Sequence, residues 1–158
     1  MKAICTELRN FELFENHKKV GRITYKNWFS SSAEMEVDKM PSYEVKSIGF
    51  SGVAFTLFKN TEEIATFKMN LKGHMVLSFK DEQDYLFKRK SIFNSKYTIE
   101  SANGQELIRL IPSFDWNKLS YSYDIAYEDK PDILLVLAGM FCANYYMALS
   151  GGAITTTV

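Results

Sequence analysis

Nucleophile relays and general bases are most often built around histidine, and this 158-residue chain has two, His17 and His74. His17 follows Asn16 in a turn-like stretch, and His74 follows Gly73 at the expected start of a strand, so both read as exposed loop residues. Cys5 and Cys142 lie at opposite ends of the chain; a bridge is possible in principle, but spacing does not decide it. Cys142 reads as a small buried hydrophobe within the most apolar stretch. No His-x-x-Glu-His or Cys-x-x-Cys spacing is present, which leaves no credible zinc site. The acidic run Asp81-Glu82-Gln83-Asp84 lacks the glycine and terminal glutamate of a calcium loop and reads as a solvated hairpin tip. Glu34, Glu36 and Asp38 alternate with Met35 and Val37, which fits the polar outer face of a strand better than an acid–base pair. The expectation is a protein that is not an enzyme and uses no cofactor.

One charged cluster does suggest binding. Lys88, Arg89 and Lys90 are consecutive, and Lys96 follows closely. Near an anionic surface each such residue supplies about 1 kcal/mol. Asp81, Glu82 and Asp84 lie just upstream and are expected to be able to pair with this basic turn across a hairpin. Nineteen basic residues balance nineteen acidic ones, which argues against nucleic acid as a partner. The N-terminus lacks an apolar core long enough for a signal peptide, and two separated thiols suit a reducing interior; both point to the cytoplasm.

The elements that would hold these residues follow from an internal repeat. Phe11-Glu12-Leu13-Phe14-Glu15-Asn16 reappears 44 residues later as Phe55-Thr56-Leu57-Phe58-Lys59-Asn60. Alternating runs come next, Val20, Ile23 and Tyr25 in one copy and Ile64, Phe67 and Met69 in the other. The copies close with Tyr43-Glu44-Val45-Lys46 and Tyr85-Leu86-Phe87-Lys88. A fainter third copy runs through Tyr97-Thr98-Ile99, Asn103-Gly104, Leu107, Ile108 and Leu110. In 119–127, Leu119, Tyr121, Tyr123, Ile125 and Tyr127 share one face, the period-two mark of a half-buried strand. Each repeat of roughly 43 residues reads as four short antiparallel strands, giving eleven or twelve in all. A sheet that wide should curl or close, so a closed antiparallel β-barrel is expected; a propeller is the competing reading, but three blades are too few. Trp28-Phe29-Ser30-Ser31-Ser32 then reads as a cap on the barrel end rather than a pocket lining.

The final apolar stretch, Ile133 through Leu149, has Asn144 as its only strongly polar member. Pro131 and Asp132 suit a helix start and Gly151-Gly152 a stop, so a helix over about 132–149 is expected, with a short tail at 150–158. Apolar on every side, it belongs either in lipid as an anchor or buried in protein. A barrel of twelve strands is too wide for its own side chains to fill, which favours the helix as its plug.

Repeated strands ending in a very hydrophobic helix resemble the tubby C-terminal-like superfamily, which includes tubby domains, LURP-one-related proteins, phospholipid scramblases and small bacterial relatives. The resemblance extends over residues 11 to 149, with Tyr85 to Ser91 and Asn94-Ser95-Lys96-Tyr97-Thr98-Ile99 matching the family's apolar strand, basic turn and Tyr-x-Ile strand. It implies a single domain over 1–158, a twelve-stranded barrel threaded by its C-terminal helix. Tubby domains hold phosphoinositide headgroups with basic side chains near such a turn, which carries over to Lys88, Arg89, Lys90 and Lys96. No residue matches a calcium loop, so the scramblases' association with calcium is not carried over. The expected function is a monomeric, non-enzymatic binding domain, cytoplasmic and peripheral at the membrane, meeting anionic phospholipid or a membrane-linked partner. The alternative is a structural or regulatory protein-interaction domain that binds no lipid.

Overall fold

The computed structural model describes residues 1–7, 9–27, 30–49, 52–81, 83–90, 96–117 and 120–150. Trp28, Phe29, Glu82, Leu119, the 91–95 part of the basic turn and the Gly151-Gly152 stop with the tail behind it lie outside the described residues. Twelve strands precede one helix. The first five are β1 (Lys2–Glu7), β2 (Asn10–Glu15), β3 (Lys18–Tyr25), β4 (Ala33–Val37) and β5 (Tyr43–Ser47). The second repeat supplies β6 (Ala54–Lys59), β7 (Glu62–Met69), β8 (Met75–Phe79) and β9 (Asp84–Arg89). The third supplies β10 (Tyr97–Ser101), β11 (Glu106–Asp115) and β12 (Ser120–Tyr127), before helix α1 (Ile133–Leu149).

Every strand pairs antiparallel with its neighbours in sequence, and β1 closes the barrel against β12, with Ala3 opposite Tyr123. The repeat frame is visible in the register. The ladder shifts at Leu13/Phe14 between β2 and β3, at Leu57/Phe58 between β6 and β7, and at Ile99/Glu100 between β10 and β11. A bulge at the same place in each unit bends each hairpin alike, which suits a wall that must curve through a full turn. The third unit has only three strands of its own; β1 supplies the fourth from the other end of the chain. Asn16 and His17, both at positive φ (48° and 65°), make the two-residue turn whose twist matches flanking strands.

Alternation decides what enters the barrel. Ala65 and Phe67 of β7 are buried, as are Tyr123 and Ile125 of β12, while Glu34 stays outside as Ala33 and Met35 turn inward. The interior is filled by α1, buried from Leu135 to Asn144. Asp132 caps it: its carboxylate accepts the Leu134 N–H at 2.8 Å. The single polar residue of the helix body is satisfied, since the Tyr123 hydroxyl donates to Asn144 Oδ1 (2.8 Å) and Asn144 Nδ2 donates to the Tyr25 hydroxyl oxygen (3.2 Å). Burial pushes the Tyr25 hydroxyl up to about 12. Cys5 and Cys142 are both free thiols, and desolvation raises the buried Cys142 well above its ordinary value.

Helix and wall are matched in size. Gly21 of β3 lies against Ile133 and Leu137; a Cβ there would stand 3.2 and 3.3 Å from their methyl groups. Across the barrel the roles reverse: Gly139 of the helix faces Ile99 and Leu110, and a Cβ on it would come within 2.6 Å of Ile99 Cδ1. Small wall meets large helix on one side, and large wall meets small helix on the other. The helix begins at the barrel end where Lys130 pairs with Glu15 at 2.6 Å. Its C-terminus emerges among the loops at the opposite end, where the Tyr145 hydroxyl donates to Gly52 O (2.6 Å) and the Tyr146 hydroxyl to Gly73 O.

Candidate anion-binding surface at strands β9 and β10

The basic turn joins β9 to β10 at the end of the barrel where the helix finishes. Its base is closed by the Lys90 N–H donating to Lys96 O at 2.8 Å, and the register places Lys88 opposite Thr98 and Arg89 opposite Tyr97. Strand alternation then separates consecutive cations. Phe87 faces the core, so Lys88 and Lys90 point outward, while Arg89 points inward with Phe87. Arg89 Nη1 donates to Ser150 Oγ at 3.2 Å, and Ser150 is the C-cap of the helix. A cation at a helix C-terminus meets the negative end of its dipole, so Arg89 serves the plug as much as the surface.

Lys88 and Lys90 converge on one acid. Their ammonium groups lie 2.6 Å from Glu100 Oε2 and Oε1 respectively, and the Glu100 side chain is only 5% exposed. Desolvation pushes the Glu100 carboxyl up, but hydrogen bonds and attraction from the two lysines more than offset it and hold it below its ordinary value. The upstream acids do not take this part. Asp84 begins β9 and Lys90 follows its last residue, Arg89, so the length of the extended strand separates them by about 20 Å. Asp81 lies in the turn before β9, at the far end of the barrel. The hairpin pairing expected from adjacency is thus corrected for Asp81 and Asp84: within one strand, sequence neighbours are carried apart, while Glu100 arrives across the ladder. Glu82 lies outside the described residues.

The fold adds neighbours that the linear cluster does not contain. An open depression of ≈ 400 Å³ beside Lys88 is lined by Asn70, Leu71, Lys72, His74 and Leu86. His74 is half-buried there, and desolvation followed by the nearby ammonium of Lys88 lowers its pKa. Lys96 is exposed and makes no ion pair among the described residues. Of the four sequence candidates, Lys88 and Lys90 are brought together, Lys96 stands beside them, and Arg89 is turned away. Sequence reasoning missed Glu100, Lys72 and His74. Glu100 had a signal: it occupies the place held by Phe14 and Phe58 in the other repeats, next to the same ladder shift.

Among the described residues no group of three histidine, cysteine or acidic side chains is arranged to hold a metal ion. None of their helices is long and apolar enough to cross a membrane. Comparison with protein-family models, curated protein sequences and solved structures gives no match to this chain.

Proposed function

We propose that the protein is a non-enzymatic binding module of the tubby-like type that recognises an anionic phospholipid headgroup, acting as a cytoplasmic monomer that associates peripherally with membranes. The observation that carries this reading is the pair Lys88 and Lys90, held on one outer face around Glu100 with Lys72 and Lys96 alongside. Glu100 fixes both ammonium groups in place while neutralising only one of them, so the patch stays cationic and ordered before a ligand arrives. The second reading, a protein-interaction domain without lipid affinity, rests on the same carboxylate, because a phosphate must share both lysines with it.

Flotation with phosphatidylcholine vesicles, with and without phosphatidylserine or a phosphoinositide, separates the two. The expected result is salt-sensitive binding to the anionic vesicles, reduced at least about tenfold by Lys88→Ala/Lys90→Ala/Lys96→Ala. Arg89 is left intact because it caps the helix. Equal flotation of wild type and triple variant would overturn the reading.

A further inference from the structure

The two ends of the barrel differ in a way that net charge conceals. Five of the seven large hydrophobic side chains that are exposed among the described residues, Ile48, Val53, Leu71, Trp116 and Leu149, stand at the end where the helix finishes. Leu71 is fully exposed at the tip of the β7–β8 connection, Trp116 is 67% exposed after β11, and Leu149 is 59% exposed in the last turn of the helix. The helix ties these tips together, since Tyr145 holds the β5–β6 connection and Tyr146 the β7–β8 connection. At the same end stand Arg9, Lys26, Lys72, Arg89, Lys90 and Lys96, against the acids Glu7 and Asp115, with Lys26 reaching down to Glu44 and Lys90 to Glu100. The opposite end carries Glu62, Glu63, Asp81, Asp84, Glu128 and Asp129 with lysines interspersed, and Met40 is its large exposed hydrophobe.

From this polarity we infer that the barrel docks end-on to an anionic bilayer, with Leu71, Trp116 and Leu149 entering the interfacial layer and the surrounding cations meeting lipid headgroups. The apolar tips sit on separate loops and on the helix end instead of forming one groove. A protein partner would need a matching socket for each tip, whereas a fluid bilayer takes up several at once. Tryptophan prefers the membrane–water boundary, and basic side chains beside apolar ones add attraction to anionic lipid. The charge difference favours this orientation, because the opposite end, where acids and lysines alternate, offers an anionic surface little net attraction. This inference rests on the anionic-lipid reading above and adds the depth and direction of contact.

The test uses the full chain with vesicles of phosphatidylcholine and phosphatidylserine carrying brominated acyl chains. Quenching of tryptophan emission is expected in Trp28→Phe, which keeps Trp116 as its one tryptophan, and should disappear when Trp116→Phe is added. Leu71→Asp/Leu149→Gln should lower vesicle partitioning by roughly tenfold or more, with most of the loss persisting at high salt. Glutamine is chosen at 149 because an acid there would oppose the helix dipole, and thermal melting checks that the variant stays folded. Met40→Asp at the far end should bind as wild type does. Binding that the lysine triple variant loses, but that shows no quenching and no loss in Leu71→Asp/Leu149→Gln, would overturn end-on docking and leave the headgroup reading standing. Absence of binding by wild type would overturn both. A dimer seen by light scattering and dissolved by Leu71→Asp/Leu149→Gln, without quenching, would assign this end to a second copy and overturn the inference.

Discussion

The β5–β6 and β9–β10 junctions are built on one backbone plan 42 residues apart, and they use it differently. In the first, Lys46 leaves the wall beside Phe58, its ammonium 5.5 Å from the ring centroid and 3.0 Å from a Glu44 carboxylate that is 36% exposed. In the second, Lys88 stands where Lys46 does, Leu86 replaces Glu44, and Glu100 replaces Phe58. The carboxylate has moved from the first strand of the pair to the second, and it has gone from half-exposed to nearly buried. An acid at that site must be paired, so it draws in both Lys88 and Lys90. The inner faces diverge as well. Ala65 lies opposite Leu57 in the second repeat, whereas Ile108 lies opposite Ile99 in the third. A pseudo-symmetric wall has to seat a helix with no symmetry, so size is adjusted repeat by repeat on the inside and charge on the outside.

The inner difference gives the largest expected effect. Gly139 is where the helix yields to the bulkier third repeat, and even one added carbon meets Ile99 at 2.6 Å. Gly139→Leu should cost about 3 kcal/mol of stability through overpacking in a core that cannot expand. Urea unfolding measures it. Adding Ile99→Ala to Gly139→Leu should recover part of that loss, and no recovery would mean that the clash lies elsewhere. Gly139→Ala should cost less, because alanine's better helix propensity offsets part of the strain.

The outer difference comes next. Glu100→Ala strands two half-exposed ammonium groups and removes a buried carboxylate, a loss of about 1–3 kcal/mol. Glu44→Ala breaks a solvated pair worth about 0–1 kcal/mol. The same comparison has a pH signature at Glu100. Its folded-state pKa lies below the ordinary carboxylate value, so the pair's stabilisation is present above the unfolded pKa of about 4.3. It is lost as pH falls through the lowered folded value. The stability gap between wild type and Glu100→Gln should therefore be widest near neutrality and shrink in acid. A gap independent of pH would remove the ionised pair from the account.

Much of this frame is legible in the sequence, for a physical reason. Strand side chains alternate with period two, so Phe11, Leu13, Phe55 and Leu57 announce inward positions without any knowledge of pairing. Helix α1 is apolar all round, and its fate as a plug follows once a wide barrel is expected. The role of β1 was not legible: Ala3 is its one fully buried core side chain, and closure against Tyr123 rather than any pattern makes it a strand of the barrel. At the candidate surface, the lysines were visible because they are adjacent in the chain. Glu100 was not assigned to them because that contact needs the register across two strands. Asp81 and Asp84 misled because nearness in sequence means separation along an extended strand.

The smallest expected effect tests whether the two junctions are interchangeable. Glu100→Phe rebuilds the first junction in place of the second, giving Lys88 a ring to lie over as Lys46 lies over Phe58. The ring fills the space the carboxylate leaves, and the two lysines are exposed enough to turn their ammonium groups to water, so this variant should unfold within about 1 kcal/mol of wild type, unlike Glu100→Ala, which also leaves a gap. For reference, Lys46→Ala should cost about 0.5 kcal/mol, the scale of an exposed cation–aromatic contact. Glu100→Phe also leaves Lys88 and Lys90 without their shared counter-charge, adding one net positive charge to the patch. If those lysines meet lipid, it should float with anionic vesicles more strongly than wild type, by about fivefold at low salt, and the gain should vanish at high salt. Unchanged flotation together with near-native stability would separate the two roles of Glu100: it would hold the wall together at β9–β10 without governing what the wall binds.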